Sequence, residues 1–150
     1  MKEKEVHFPI PSVRICLDEL AEGKQKGRIY GIALEQERIF SDISDLVVEI
    51  DSCFNEIGQP QPSKILRSFG ERESHQPYVG TPKIFYSSKD ISQKRGQKCT
   101  LDLIMNSRQQ AEWQGFLRDV AGNKIEEFRS SLECIRILEK YINHPNVTGM

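Results

Sequence analysis

Residues 13–34, VRICLDELAEGKQKGRIYGIAL, contain two alternating apolar runs separated by a polar run with two glycines. Val13, Ile15 and Leu17 recur at period two, which is typical of a strand with one buried face. AEGKQKG predicts a hairpin loop, and RIYGIAL, residues 28–34, predicts the second strand. This stretch therefore predicts a β-hairpin.

A short strand and a helix follow this hairpin. EQER leads into a third strand ending at Phe40, and residues 41–58 read SDISDLVVEIDSCFNEIG. Ser41 or Asp42 can cap the first turn of a helix, and Gly58 can end it. Spacings of three, four and seven predict an amphipathic helix with one apolar face, formed by Ile43, Leu46, Val47, Ile50, Phe54 and Ile57.

The second half of the chain repeats this order. CTLDLIMNS alternates, AEWQGFLRDV predicts a second strand, and IEEF predicts a short strand ending at Phe128. RSSLECIRILEKYIN predicts a helix, with Ser130 and Glu133 forming a Ser-x-x-Glu capping box. We expect four apolar residues of this helix to face inward: Leu132, Ile135, Leu138 and Ile142.

Residues of the two halves correspond at two offsets. At an offset of 84, Leu17 matches Leu101, Gly31 matches Gly115 and Ile32 matches Phe116; at 88, Phe40 matches Phe128 and Ile50 matches Leu138. The change of offset requires a four-residue insertion at AGNK, residues 121–124. We interpret the chain as a tandem duplication of a ββ(β)α unit, the alternative being two unrelated units in tandem.

The duplication predicts an α+β fold with three regions. Residues 1–58 form the first repeat, residues 59–98 a Pro-rich connector, and residues 99–150 the second repeat with a short tail. Residues 82–88, PKIFYSS, alternate and predict an extra strand in the partly ordered connector. One unit is too small to be stable alone, so two units would form an intrachain pseudo-two-fold pair, by packing helix on helix or by joining sheets.

Composition excludes several classes of protein. The 150 residues carry a formal net charge of −1, which disfavours a strongly basic nucleic-acid binder but not a local basic patch. No apolar run approaches the roughly 20 residues that span a bilayer, and MKEKEVHFPIP lacks the apolar core of a secretory signal. We expect a cytoplasmic protein without a membrane partner.

Motifs for chemistry are absent from the sequence. The four cysteines, Cys16, Cys53, Cys99 and Cys134, include no C-x-x-C pair and predict buried thiols in a reducing cytosol, with a disulfide as the alternative. The histidines are not spaced as metal ligands, and no phosphate-binding or nucleophile motif occurs. We therefore expect no enzyme activity, no cofactor and no metal.

Two resemblances can be named from these runs. WQGFLRDV with EEFRSSLECIRIL resembles a set of uncharacterised small bacterial proteins that share a W-Q-G strand and F-[RS]-S-x-L-E helices; GRIYGIAL, FSDISDLVVEID and GQPQ resemble a second segment of them. More distantly, a two-fold pair of ββββα units is similar to the PC4/Whirly transcriptional-coactivator fold. That likeness implies binding of single-stranded nucleic acid on paired sheets through basic and aromatic side chains. An anti-CRISPR protein with a PC4-like fold implies the alternative of an inhibitor that binds a protein.

Basic and aromatic residues on the hairpins are the candidate binding site. Paired hairpin tips could contact a phosphate backbone, and an aromatic ring could stack on a base. The candidates are Lys24, Lys26, Arg28, Tyr30, Arg108 and Trp113. Each has an ordinary alternative, since Trp113 on a strand can be a core residue and charged hairpin tips are commonly only solvated. We expect a binding module for single-stranded nucleic acid, with a protein-interaction module such as a regulator or inhibitor as the alternative.

Overall fold

The fold is taken from a computed structural model that describes residues 6–60, 82–109 and 112–144. Its elements in chain order are β1 (Ser12–Ala21), β2 (Lys24–Tyr30), β3 (Arg38–Phe40), α1 (Ile43–Ile57), α2 (Ser88–Ser92), β4 (Cys99–Gln109), β5 (Glu112–Arg118), β6 (Lys124–Phe128) and α3 (Ser131–Asn143). The fold is α+β, as the sequence predicts.

The strands form one six-stranded sheet in the order β3-β2-β1-β4-β5-β6, with every neighbouring pair antiparallel. The centre of the sheet is the β1–β4 pair, which joins the two halves of the chain. Of the two arrangements left open by the sequence, the halves therefore join their sheets.

The helices begin and end where local signals place them. The Asp42 side chain accepts a hydrogen bond from the Asp45 N–H at the start of α1, and Gly58, with φ of 80°, ends this helix. The Ser130 side chain accepts from the Glu133 N–H at the start of α3. These side chains satisfy amide donors that a helix leaves free in its first turn.

One face of the sheet carries the main core under α1 and α3. Leu46, Ile50 and Phe54 of α1 and Leu138 and Ile142 of α3 are buried, as expected. They share a single cluster with inward strand residues: Val13, Ile15, Leu17, Ile29, Leu101, Leu103, Met105 and Leu117. We call this the helix face.

Two positions of α3 differ from the expectation. Leu132 is 60% exposed and Ile135 is only half-buried, whereas Cys134 and Tyr141 are buried. The side of α3 that faces the sheet therefore does not include Leu132 and only partly includes Ile135. Contact with β5 and β6 decides which residues of α3 are buried.

The register of β2 corrects the correspondence between the halves. Gly27 pairs with Phe40 and Leu17, and Gly115 pairs with Phe128 and Met105. The strands of the first half therefore correspond to those of the second half at a single offset of 88 residues. Gly27 is the equivalent of Gly115, and the predicted match of Gly31 with Gly115 is wrong. The predicted strand 28–34 lies four residues too late, because β1 and β2 are joined by a two-residue turn at Glu22–Gly23, where Gly23 has φ of 75°.

The two glycines at this position share a steric cause. A Cβ on Gly27 would lie 2.0 Å from the Cys16 carbonyl oxygen, and one on Gly115 would lie 2.0 Å from the Ile104 carbonyl oxygen. Phe40 and Phe128 approach the same two positions through their ring Cζ atoms. Each short outer strand thus packs its phenylalanine against a glycine of the neighbouring strand.

The opposite face of the sheet has a buried ionic centre. Arg14 Nε and Nη2 donate to the two oxygens of Asp102 over 2.7 and 3.1 Å, and Arg118 Nε donates to the same carboxylate over 3.0 Å. Both guanidinium groups lie over the Phe8 ring, at 5.1 Å (Arg14) and 4.7 Å (Arg118) from its centroid. This centre replaces apolar packing in the middle of the face.

Residues 82–98 cover part of this opposite face. The predicted strand at residues 82–88 is wrong: these residues are irregular up to Ser87, which caps α2 with a capping box. Arg14 Nη1 donates to the carbonyls of Ser92 and Lys94 over 2.9 and 3.1 Å and so fixes the end of α2 on the sheet. Residues 61–81 of the connector and the tail after His144 lie outside the described residues.

Among the helices of these described ranges, none has the length and apolarity to cross a bilayer.

Candidate nucleic-acid interface

The predicted binding residues are divided between the two faces of the sheet. Because side chains alternate along a strand, Lys26, Arg28 and Tyr30 lie opposite to Gly27 and Ile29 and face away from the helices. Lys24 is exposed at the start of β2 on the same side. Arg108 and Trp113 lie on the helix face, so the six residues do not form one surface.

Arg108 and Trp113 have structural partners. Trp113 is 4% exposed and belongs to the main core, while Arg108 donates to Asp51 Oδ1 over 3.2 Å and to Asn55 Oδ1 over 2.9 Å on α1. Arg108 pairs directly with Trp113 across β4 and β5. Both residues join the sheet to the helix layer and present neither a free charge nor a stacking surface.

Arg28 organises the opposite face of the first half. Its Nε and Nη2 donate to the two oxygens of Asp18 over 2.7 and 2.9 Å, and its Nη1 donates to the Tyr30 hydroxyl over 2.7 Å. The guanidinium lowers the pKa of Asp18 from its ordinary value, and the hydrogen bond to Asp18 raises the pKa of Arg28. The charge of Arg28 is therefore already paired with Asp18, and its role in this surface is to position Asp18 and Tyr30.

Tyr30 lies between this pair and an acidic loop. Its hydroxyl donates to Glu37 over 2.7 Å, and the Lys94 ammonium lies 5.0 Å from the centre of its ring. Burial, followed by the hydrogen bond to Glu37, raises the pKa of Tyr30. One face of the ring is occupied by Lys94, so Tyr30 supports a cation and offers little surface to a base.

Residues 94–98 lie across β1 and β2 and bring further cations to this face. The Arg95 carbonyl accepts from Arg28 Nη2 over 2.9 Å, and the Lys98 N–H donates to the Leu17 carbonyl over 2.8 Å. Lys94, Arg95 and Lys98 are exposed, and none belongs to an ion pair between described residues. We call Lys26, Lys94, Arg95 and Lys98 the basic cluster.

Two aromatic residues missed as candidates lie beside the basic cluster. Phe85 and Tyr86 are 37% and 38% exposed, the highest exposure of any aromatic side chain in the described part of the chain. Both N–H groups donate to the Ile32 carbonyl. Tyr86 and Lys94 line one cavity of about 560 Å³ with Tyr30, Glu35 and Glu37. Adjacent aromatic residues between lysines, in PKIFYSSK, are the sequence signal for this surface.

The four cysteine thiols are poorly placed to act as nucleophiles. All four cysteines are buried as free thiols, and burial raises the pKa of Cys16, Cys53 and Cys134 to about 12 and that of Cys99 to about 11. Such thiols are poor nucleophiles, since the thiolate is the reactive form. Within residues 6–60, 82–109 and 112–144, no group of three His, Cys, Asp or Glu side chains is placed to hold a metal ion.

Comparison of the chain with protein-family models, curated proteins and solved structures finds no match.

Proposed function

We propose that this protein is a non-enzymatic binding module that contacts single-stranded nucleic acid through the basic cluster. The observation that carries the proposal is the exposed cations of residues 94–98, held by main-chain contacts around the Asp18–Arg28 pair. Cations fixed on a sheet face can neutralise successive phosphates. A local patch of this kind is compatible with the net charge of −1.

The proposed contacts divide into charge and stacking. Lys26, Lys94, Arg95 and Lys98 would contact phosphates, with Lys24 extending the charge along β2. Phe85 and Tyr86 would stack on bases, because both rings are exposed and Tyr86 lines the same cavity as Lys94. Arg28 and Tyr30 would position the cluster, and Arg108 and Trp113 take no direct part.

The proposal includes an internal duplication with a PC4-like pairing of sheets. Its support is the constant offset of 88, which relates β1 to β4, β2 to β5, β3 to β6 and α1 to α3. At the offset of 88, the residue equivalent to Arg14 is Asp102, and Arg14 also pairs with Asp102 between β1 and β4. Because a residue that pairs with its own equivalent lies at the symmetry axis, the Arg14–Asp102 pair would lie on the two-fold axis. Such self-complementary pairing is what a two-fold homodimer interface has.

Fluorescence anisotropy of a labelled single-stranded oligonucleotide tests the function. We expect binding at low salt that weakens steeply toward physiological salt, because counterions are released when phosphates are neutralised. Lys94→Glu with Lys98→Glu is expected to weaken binding to DNA and RNA of every sequence by at least about tenfold at low salt, since phosphate contacts do not read bases.

A matched charge reversal on the helix side provides the control. Arg129 and Arg136 are exposed at and beyond the start of α3, and Arg129→Glu with Arg136→Glu gives the same net charge as the test variant. We expect this control to bind within about twofold of the native chain. Equal weakening by both variants, or no binding by the native chain at low salt, contradicts the proposal.

A protein partner is the second candidate, favoured by apolar exposure near β3. Ile39 is 59% exposed on β3, an edge strand of the sheet formed by the described residues. Ile84 is 49% exposed, next to Phe85, whose N–H donates to the Ile32 carbonyl in the loop after β2. Exposed apolar residues beside an open sheet edge are suited to a partner that adds a strand. Failure of the oligonucleotide experiment would leave this interaction function, such as that of a regulator or inhibitor, as the better explanation.

A further inference from the structure

The buried ionic centre carries an excess of positive charge. Two guanidinium groups, those of Arg14 and Arg118, contact one carboxylate, that of Asp102, and all three side chains are at least nine-tenths buried. A charge held away from water interacts more strongly with a nearby ion than a surface charge does. The centre would therefore attract an anion that can reach it.

The two arginines use their donors unequally. Arg14 donates from Nε, Nη1 and Nη2 to Asp102 and to carbonyls at the end of α2. Arg118 donates from Nε to Asp102, and its buried Nη2 has no acceptor among the described residues. Buried donors in folded proteins are nearly always paired, so Arg118 holds donor capacity that Asp102 does not use.

Arg118 also lines a cavity of about 330 Å³. Apolar groups form most of its wall, namely Val6, Pro9, Ile104 and Phe116, and the turn at Ala121–Gly122 forms part of its rim. His7 is the other polar lining residue, and no lining residue carries a carboxylate. The cavity thus combines an apolar wall with a cation that shares with Arg14 its only carboxylate partner among the described residues, and no lining residue carries a negative charge.

We propose that this cavity is a binding site for a small organic carboxylate with an apolar or aromatic body. The carboxylate would accept from the Nη side of Arg118, and the apolar body would lie against Phe116 and Ile104. A planar carboxylate matches the fork of a guanidinium, and the apolar wall favours an organic acid over inorganic phosphate. The site is independent of the basic cluster, which lies over β1 and β2.

Benzoate and its neutral isostere benzamide are suitable probes for NMR titration of the ¹⁵N-labelled chain. We expect benzoate to shift the Gly122 amide resonance in a saturable way at millimolar concentration. Benzamide is expected to bind at least about tenfold more weakly, because it lacks the charge that Arg118 recognises. Inorganic phosphate is expected to leave Gly122 unshifted.

Two variants test the location of the site. Ala121→Phe places a ring on the rim and leaves the ionic centre intact, and we expect it to weaken benzoate binding by at least about tenfold. Ala21→Phe places the same ring on the exposed end of β1 and serves as the matched control. Arg118→Met removes the cation; it is expected to abolish binding, with folding checked by the dispersion of the amide spectrum.

Equal affinity for benzoate and benzamide would overturn the proposal, because recognition would not depend on charge. Unchanged benzoate binding in Ala121→Phe would also overturn it, because the ligand would lie elsewhere. A response to phosphate equal to that for benzoate would show a simple anion effect and would reject an organic carboxylate site.

Discussion

Asp102 is the residue on which the opposite face of the sheet depends. It accepts hydrogen bonds from both Arg14 and Arg118, and it is fully buried. A buried ion pair contributes little net stability when intact, but removing one partner leaves an uncompensated charge in a region without water. The three residues are therefore not equivalent as sites of substitution.

We predict that Asp102→Ala lowers the free energy of unfolding by about 3–5 kcal/mol or more, since it leaves two guanidiniums without their carboxylate. Arg118→Met is expected to cost clearly less, because the Arg14–Asp102 pair stays intact and neutral. Urea denaturation of both variants measures the difference. An Arg118→Met cost equal to that of Asp102→Ala would contradict this account.

At the scale of elements, the buried apolar residues of each helix show which side of it faces the sheet. Leu46, Ile50 and Phe54 of α1 are buried as the apolar spacing predicts. Gly58 ends the helix as expected, and of the two possible caps, Ser41 and Asp42, it is Asp42 that caps the first turn. For α3, the spacing includes Leu132, which the packing leaves exposed. A helical pattern defines an apolar arc, and the contact with the sheet selects which part of the arc is buried.

Leu138→Ala is predicted to lower the free energy of unfolding by about 2–5 kcal/mol, because it creates a cavity between α3 and the sheet. Leu132→Ala, on the same helix with the same change of side chain, is expected to cost less than about 0.5 kcal/mol. Chemical denaturation of the two variants compares them directly. Similar costs would show that α3 faces the sheet through the Leu132 side.

At the scale of the whole molecule, two halves share one sheet and two separate cores. The helix-face core draws on both halves, and the smaller cluster on the opposite face contains Val6, Phe8, Ile32 and Ile91. Residues from the chain start, the loop after β2 and the connector thus cover the opposite face together. The reactivity of the four cysteines is a measure of this packing, because each cysteine is buried in a different element.

We predict that none of the four thiols reacts at an appreciable rate with an aromatic disulfide reagent at pH 8 in the native state. Burial excludes the reagent and holds each pKa at about 11 to 12, so the thiolate is scarce. In denaturant, all four are expected to react at once. A thiol that reacts at full rate in the native state would contradict its burial.

The candidate site was predictable only in part. The sequence placed Arg28 and Tyr30 on one strand, where alternation puts both side chains on the same face. It placed Lys26 in the hairpin loop, whereas the structure has Lys26 in β2 on that same face. The face of Arg108 depends on the irregular register between Met105 and Ser107 in β4, which the pattern of the sequence does not show. Nor could the sequence place Lys94 above Tyr30, because residues 64 apart meet only through the folded chain.

What the sequence by itself determined is the set of elements with local signals: the alternating faces of β1 and β4, the starts of α1 and α3, and the α+β class. Tertiary structure decided the register of β2, where the close approach of Gly27 to Phe40 and the Cys16 carbonyl excludes a side chain. It also decided that the sheets join through Arg14 and Asp102. A pattern along the chain indicates the face on which a side chain lies. The residues that it contacts depend on which distant segments pack against that face, and close packing allows few such arrangements.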